Sequence, residues 1–365
     1  MFVLGAVDEF CWTGGKSSRS NPHPAVAINS LPPRALLACL STLLALGPGC
    51  SHSREVAPLA IRDESPVARI FGLPSTVGAG IVARRETTLD FSADYSSNYS
   101  ISSAKLPDSL LLDGESARMS LRGRLGLGSG VELGFEIPWI AQSGGFLDAF
   151  ILAYHQAFGF NQGGRNHATD NQLDFHYRRN DVDRFVVQRA GCGLGDLQLS
   201  AGVRLLERGP AGRALALRGS VEVPTGDVRQ LMGSGSFDAA LWLSASADVA
   251  LPLGRGEVWA SVGGLGMTDA GVLADLQTHV VAFGEFGLGW RAVPGFALKI
   301  QLDAHSPFYR DTSVVALGTP VAQIAVGASV GLWRNASLDL AVVEDPAVMA
   351  SPDVSLHAAL KAFFE

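Results

Sequence analysis

From Thr87 to the C-terminus the chain repeats short segments in which apolar and polar residues alternate one for one. Phe296, Leu298, Ile300, Leu302 and Ala304 fall on one side of such a segment, and Lys299, Gln301, Asp303 and His305 on the other. Successive strand side chains point to opposite faces, so one face suits lipid and the other suits water, the pattern of a membrane-spanning β-barrel. About twelve segments obey it: 87–99, 116–128, 130–142, 196–208, 213–224, 238–251, 256–268, 277–293, 295–306, 321–334, 336–344 and 354–364. An even number is what a single-chain barrel needs. The expected fold is therefore all-β, an antiparallel transmembrane barrel with one long, helix-containing extracellular loop after the third strand.

The junctions carry the second half of this reading. Ser129, Gly209 to Gly212, Gly254 to Arg255, Pro294 and Asn335 mark tight turns at every second junction, and the junctions between them are long. The last strand of such a barrel ends on the periplasmic side, which places the turns there and turns 101–115, 143–195, 225–237, 269–275, 307–320 and 345–353 outward. Val354, Leu356, Ala358, Leu360, Ala362 and Phe364 share one face of the final strand, as in the C-terminal assembly signal of outer-membrane barrels, although Glu365 follows the aromatic. Trp139 and Trp290 take the lipid-facing phase at strand ends, whereas Trp242 and Trp333 take the inward phase.

Phase also lists the lumen. Arg118, Arg122 and Arg124 face Glu132 and Glu136, and Asp90, Asp94, Arg204, Arg218, Glu222, Asp248, Glu285, Asp303, Asp339 and Lys361 point inward elsewhere. Both signs are present. Either they form cross-strand ion pairs that rigidify a narrow interior, or some of them make a selectivity ring for a small polar or ionic solute. In the loop after the third strand, Phe146, Leu147, Phe150, Ile151, Tyr154 and Phe158 recur at spacings of three and four, one apolar face of a short helix. Phe146, Phe150, Tyr154 and Phe158 are expected to bury that face against the mouth or lipid, with Asp148 and His155 near the entrance and Arg165 in the following turn. Residues 172–190 read as an additional hairpin. The candidate binding residues are thus Asp148, His155, Arg165, Arg118, Arg122 and Glu136; no catalytic or metal-ligating residue and no cofactor is expected.

Composition sharpens this without changing it. The chain has 365 residues, 47% hydrophobic and 17% charged, with mean hydropathy +0.21, yet past residue 50 nothing approaches the ~20 apolar residues of a membrane helix. A net charge of -7 and the absence of a basic, aromatic-interleaved patch argue against a nucleic-acid partner. Arg34, the apolar run Ala35 to Leu46 and the small residues after it match a secretory signal over 31–50. Residues 1–30 then read as an over-extended start or a disordered extension, 51–68 as a periplasmic lead-in, and 69–365 as the barrel. Cys192 reads as a small filler between glycines, since the cysteines are too few and too far apart for a disulfide framework.

His155, His167 and His176 share a loop without metal-site spacing. His305 with Ser306 or His357 imitates the Ser/His pair of barrel-embedded lipid hydrolases, but no nucleophile motif accompanies it.

The ordered runs Gly130 to Trp139, Ser143 to Asp148, His155, Gln162 to Arg165, Gly193 to Gly202, Val223 to Asp227, Gly233 to Asp238, Gln301 to His305, Glu344-Asp345 and Ser351 to Asp353 resemble a family of uncharacterised Gram-negative proteins of the domain-of-unknown-function kind. The likeness spans about 68–364 and implies an outer-membrane-type barrel without carrying any site residue. The expectation is a porin-like protein of the Gram-negative outer membrane, a passive or facilitated channel for a small polar or amphipathic solute. A lipid-active enzyme and a structural or surface-interaction barrel are the alternatives. Its expected partners are outer-membrane lipid with lipopolysaccharide, and the barrel-assembly machinery through the last strand.

Overall fold

A computed structural model describes residues 56–102, 107–159, 164–165, 169–209, 212–251, 253–346 and 350–365. The expectations for 1–30 and 31–50 lie outside these. Fifteen strands form one antiparallel sheet: β1 (Thr87–Ile101), β2 (Asp108–Gly128), β3 (Val131–Ser143), β4 (Asp174–Arg179), β5 (Val182–Val187), β6 (Gly191–Leu194), β7 (Leu197–Leu206), β8 (Arg213–Val223), β9 (Asp238–Ala250), β10 (Arg255–Met267), β11 (Val280–Val293), β12 (Phe296–His305), β13 (Val321–Trp333), β14 (Ala336–Glu344) and β15 (Val354–Phe364). Twelve of them close a ring, because β1 pairs with both β2 and β15, and β3 pairs with both β2 and β7. Closure leaves no free edge in the wall. The remaining strands rise from one end: the hairpin β4–β5 extends from the upper part of β2, and β6 continues the β7 side of β3.

The alternation read from the sequence is the alternation of the wall. Along β12, Leu298, Ile300 and Leu302 are exposed outward while Lys299, Gln301 and His305 are buried inward. Phe91, Phe135, Val221, Leu241, Phe286 and Val326 extend the exposed apolar belt around the ring. At one end, tight turns join the strands; Gly295, at φ 78°, adopts the left-handed backbone that such a turn demands. At the other lie the long loops and an 11-residue helix, α1 (Asp148–Phe158). These are the turn end and the loop end.

One departure changes the interior. Residues 56–68, expected as a periplasmic lead-in, lie inside the barrel together with the residues that follow them to Val82, and 83–86 are exposed where the chain reaches the turn end. Val56 N–H donates to Glu257 near the turn end, and Leu59 exchanges two hydrogen bonds with the Gln301 amide halfway up. Asp63 reaches His305 at 3.1 Å, and the chain then turns over at Ser65 to Phe71. It descends past Arg218, which takes the Gly80 carbonyl, and Glu132, which accepts Val82 N–H, and meets Gly126 at the turn end before entering β1. The sequence of this hairpin-like segment has no strand periodicity because it faces wall on all sides.

Two smaller points concern single residues. Trp333 is 65% exposed beyond a register shift at the end of β13 and lines the open space at the turn end. Cys192 is disulfide-bonded and is not merely a small filler between glycines.

Candidate functional site

The lumen has three levels. In the middle, Glu136 on β3 holds two arginines: Arg62 of the luminal segment, at 2.6 and 2.7 Å, and Arg118 of β2, at 3.0 Å. Ser120 donates to the same carboxylate, and Glu64 of the luminal segment stands 4.0 Å from Arg118. Arg122, one step lower, donates to Asp90, Ser92 and the Ala60 carbonyl and makes no hydrogen bond to Glu136. Glu132 accepts from Arg218 and Arg124. A buried charge is tolerated only where partners replace its hydration. Here strand and luminal segment supply those partners together, so Arg118, Arg122 and Glu136 fasten the segment to the wall. That geometry is the cross-strand ion-pair arrangement, with a third element the sequence reading missed. The signal lay in Arg62-Asp63-Glu64 and Arg69, charges set in an otherwise apolar run.

The loop end is apolar. Val67, Ile70, Phe71 and Leu73 from the tip of the segment join Leu265 of β10 and Leu231, Leu276, Phe308 and Tyr309 of the loops in one buried cluster. Phe71 is 0% exposed and stacks on Phe308 with ring centroids 4.8 Å apart. The turn end, in contrast, keeps open space. A cavity of about 470 Å³ lies below the segment, and a second of about 210 Å³ lies between it and the β1–β3 and β7–β9 wall.

Helix α1 sits at the loop end beside β1 and β15. Glu115 accepts the Phe146 and Leu147 N–H groups at the helix entrance and is hydrogen-bonded by Tyr95. Gly145, at φ 76°, is required there because a Cβ would fall 1.9 Å from the Glu115 carboxyl carbon. The face that packs inward is Leu147 and Ile151, against Val354 and Tyr95. Of the aromatic residues expected to bury against the mouth or lipid, Phe146 and Phe150 are 63% and 56% exposed to the surroundings of the barrel rather than enclosed by its mouth, with the Phe146 ring 5.4 Å from that of Tyr95. Asp148 and Arg165 do meet. Arg165 bridges Asp148 and Asp353, all three buried, and lies over the Tyr99 ring. The His155 side chain lies outside the described residues. Asp148, Arg165 and Asp353 thus form a loop staple whose Arg165–Asp353 link spans 188 residues of sequence, separate from the Arg118, Arg122 and Glu136 level.

His305 contacts Asp63 and the Ser306 carbonyl, while the Ser306 hydroxyl accepts from Ala282 N–H, so the two side chains do not form a nucleophile–base pair. His357 is 2.7 Å from Asp94 on the neighbouring strand.

A family model described as "Protein of unknown function (DUF3187)" matches residues 35–364, and the chain belongs to that family. No curated protein matches the sequence. Among solved structures, the COG4313 outer membrane channel from Pseudomonas putida F1 is similar at 13% identity and a TM-score of 0.49, over 78% of this chain and 97% of that one. The NanC porin is similar at 8% identity and 0.41, over 76% and 99%. The KdgM porin is similar at 9% and 0.38, over 76% and 99%.

Proposed function

We propose that this member of the DUF3187 family is a barrel of the Gram-negative outer membrane, with its turns in the periplasm, that gives a small polar or amphipathic solute a path through the lumen. The observation that carries the reading is the manner in which the lumen is filled. Wall side chains do not interdigitate across it; a separate length of chain occupies it, attached through most of its course by hydrogen bonds and ion pairs. Such contacts, unlike interdigitated apolar packing, can be taken over by water once the lumen is wetted, so the segment is suited to leave a water-filled passage behind it. The apolar belt supports contact with lipid, including lipopolysaccharide outside, and the β15 face ending at Phe364 supports recognition by the assembly machinery.

The apolar cluster at the loop end favours a second reading, an interaction barrel whose ordered loops meet a partner and whose lumen stays shut. Current through a planar bilayer separates the two. The full chain should conduct little or in brief openings, and a variant lacking residues 60–80 should show steady conductance. If that variant reaches the folded, heat-modifiable state and still carries no current, the channel reading fails and the interaction reading stands.

A further inference from the structure

The wall of the lumen divides its charges unevenly. Its inward basic side chains, Arg118, Arg122, Arg124, Arg218, Lys299 and Lys361, each lie within 3.5 Å of a carboxylate. Two pairs of acids are not matched in this way. Glu222 and Asp238 stand directly opposite each other across β8 and β9, and Glu285 and Asp303 across β11 and β12. Among the described residues no ion pair joins any of the four to a basic group. The basic groups in electrostatic range are held elsewhere: Arg62 and Arg118 by Glu136, Lys299 by Asp339 and His305 by Asp63. Like charges in direct cross-strand register destabilise a sheet, so both pairs call for something positive beside them.

Both pairs also meet the luminal segment. Gly72 N–H donates to Asp238, and a Cβ at Gly72 would fall 3.3 Å from Glu222 Oε1, a buried oxygen without a hydrogen-bond partner. Asp303 lines a void of about 20 Å³ against the segment. Thr76, 4% exposed and with its hydroxyl unpartnered, lines the same void. A void of that volume has room for one water-sized guest, and carboxylate and hydroxyl oxygens are hard donors that suit a cation.

We propose that the solute admitted by this lumen is a small monovalent cation, drawn along Glu222, Asp238, Glu285 and Asp303 once the segment gives way. This rests on the channel reading and adds to it the sign of the solute's charge. Carboxylates that line a pore favour cations and turn anions away. Between residues 60 and 80 the segment carries Arg62 and Arg69 against Asp63 and Glu64, so its departure leaves the imbalance of the wall unchanged.

The test is the reversal potential in a planar bilayer under a KCl gradient, taken from openings of the full chain and from the variant lacking residues 60–80. K⁺ should be preferred over Cl⁻ about fivefold, the order of bias that one unit charge exerts at about 4 Å in water. Glu222→Gln and Glu285→Gln, which keep side-chain size, should each reduce that preference and together remove most of it. Each relieves a like-charge contact, so the fold should hold; if it does not, the sign of the parent's potential decides alone. Equal permeation of the two ions, a preference for Cl⁻, or an unaltered preference in the folded double variant overturns the inference. The two failures are distinguishable: no current from either form ends the channel reading and this inference with it, whereas current without cation preference ends this inference only.

Discussion

The two ends of the barrel hold the same luminal segment by opposite chemistry. At the loop end Phe71 stacks on Phe308 inside an apolar cluster, and Tyr309 donates to the Val67 carbonyl. At the turn end the apolar cluster is small, Val56 with Trp259 and Ala297, and polar contacts accompany it, with Val56 on Glu257 and Lys361 reaching the Pro58 carbonyl, while open space remains around them. Burial of apolar area supplies a large, non-directional free energy, whereas polar contacts beside water contribute little beyond position. The tip is therefore the anchored part and the arms the releasable part. A passage that opens from the turn end while the tip stays docked is the least costly rearrangement; a through-path requires the loop-end cluster to give way as well.

The sharpest way to break this asymmetry is Phe71→Ala. Deleting a fully buried ring leaves a cavity and typically costs about 3–5 kcal/mol. The expected outcome is loss of the tip from its cluster, read as modification of a cysteine placed at Ser75 by a soluble thiol reagent that leaves the same cysteine untouched in the parent. Protection at the parent level in the variant would mean that the polar arms, not the tip, anchor the segment.

A smaller effect is expected at the opposite end from Asp339→Asn. This substitution leaves Lys299 and Lys361 facing each other without their carboxylate; removing one partner of a fully buried pair costs about 3–5 kcal/mol, and the cost is less here because Lys361 is 16% exposed and can turn to water. Urea unfolding from lipid should shift to lower denaturant, while the Ser75 cysteine stays protected. Exposure of that cysteine would merge the two ends into a single cooperative unit and remove the comparison.

What the sequence disclosed follows from the period of its elements. The twelve wall strands carry an alternation of two that lipid on one side and the lumen on the other enforce, and the hairpin at 174–187 is bounded by turn residues, so their positions lie within a few residues of those read from the pattern except at β2. That strand starts at Asp108 rather than near 116, because its upper part pairs with β4 outside the belt, where no lipid imposes alternation. Residues 56–82 were illegible for the reason already visible in their contacts: a chain enclosed by the wall has no solvent face to mark a period. Phase placed Arg118, Arg122 and Glu136 inward correctly but could not name Arg62 as their partner, which lies 74 residues from Glu136 in sequence.

The least effect, and one confined to the loop end, concerns pH. Asp353, in the loop just before β15, has its carboxyl pushed up to about 6, first by burial and then by the nearby Asp345 and Asp148 charges, against the pull of the Arg165 guanidinium. In the unfolded chain the same group titrates near 4. A carboxyl whose folded pKa is raised binds its proton more tightly in the folded state, so its contribution to stability is fully present below about 4 and is lost as pH rises toward about 6. The amount is on the order of 1–3 kcal/mol. It bears on the staple that ties Asp148 at the start of α1 to Asp353 through Arg165. Protection of the Leu147 to Phe158 amides against hydrogen exchange, corrected for intrinsic rates, should therefore decrease from pH 4 to pH 6.5 in the parent and change little in Asp353→Asn. The Val56 to Ile61 amides at the other end should show the same profile in both proteins. A matching pH response there would mean that the titration is felt along the whole luminal segment, and that its two ends are coupled more tightly than their separate chemistries suggest.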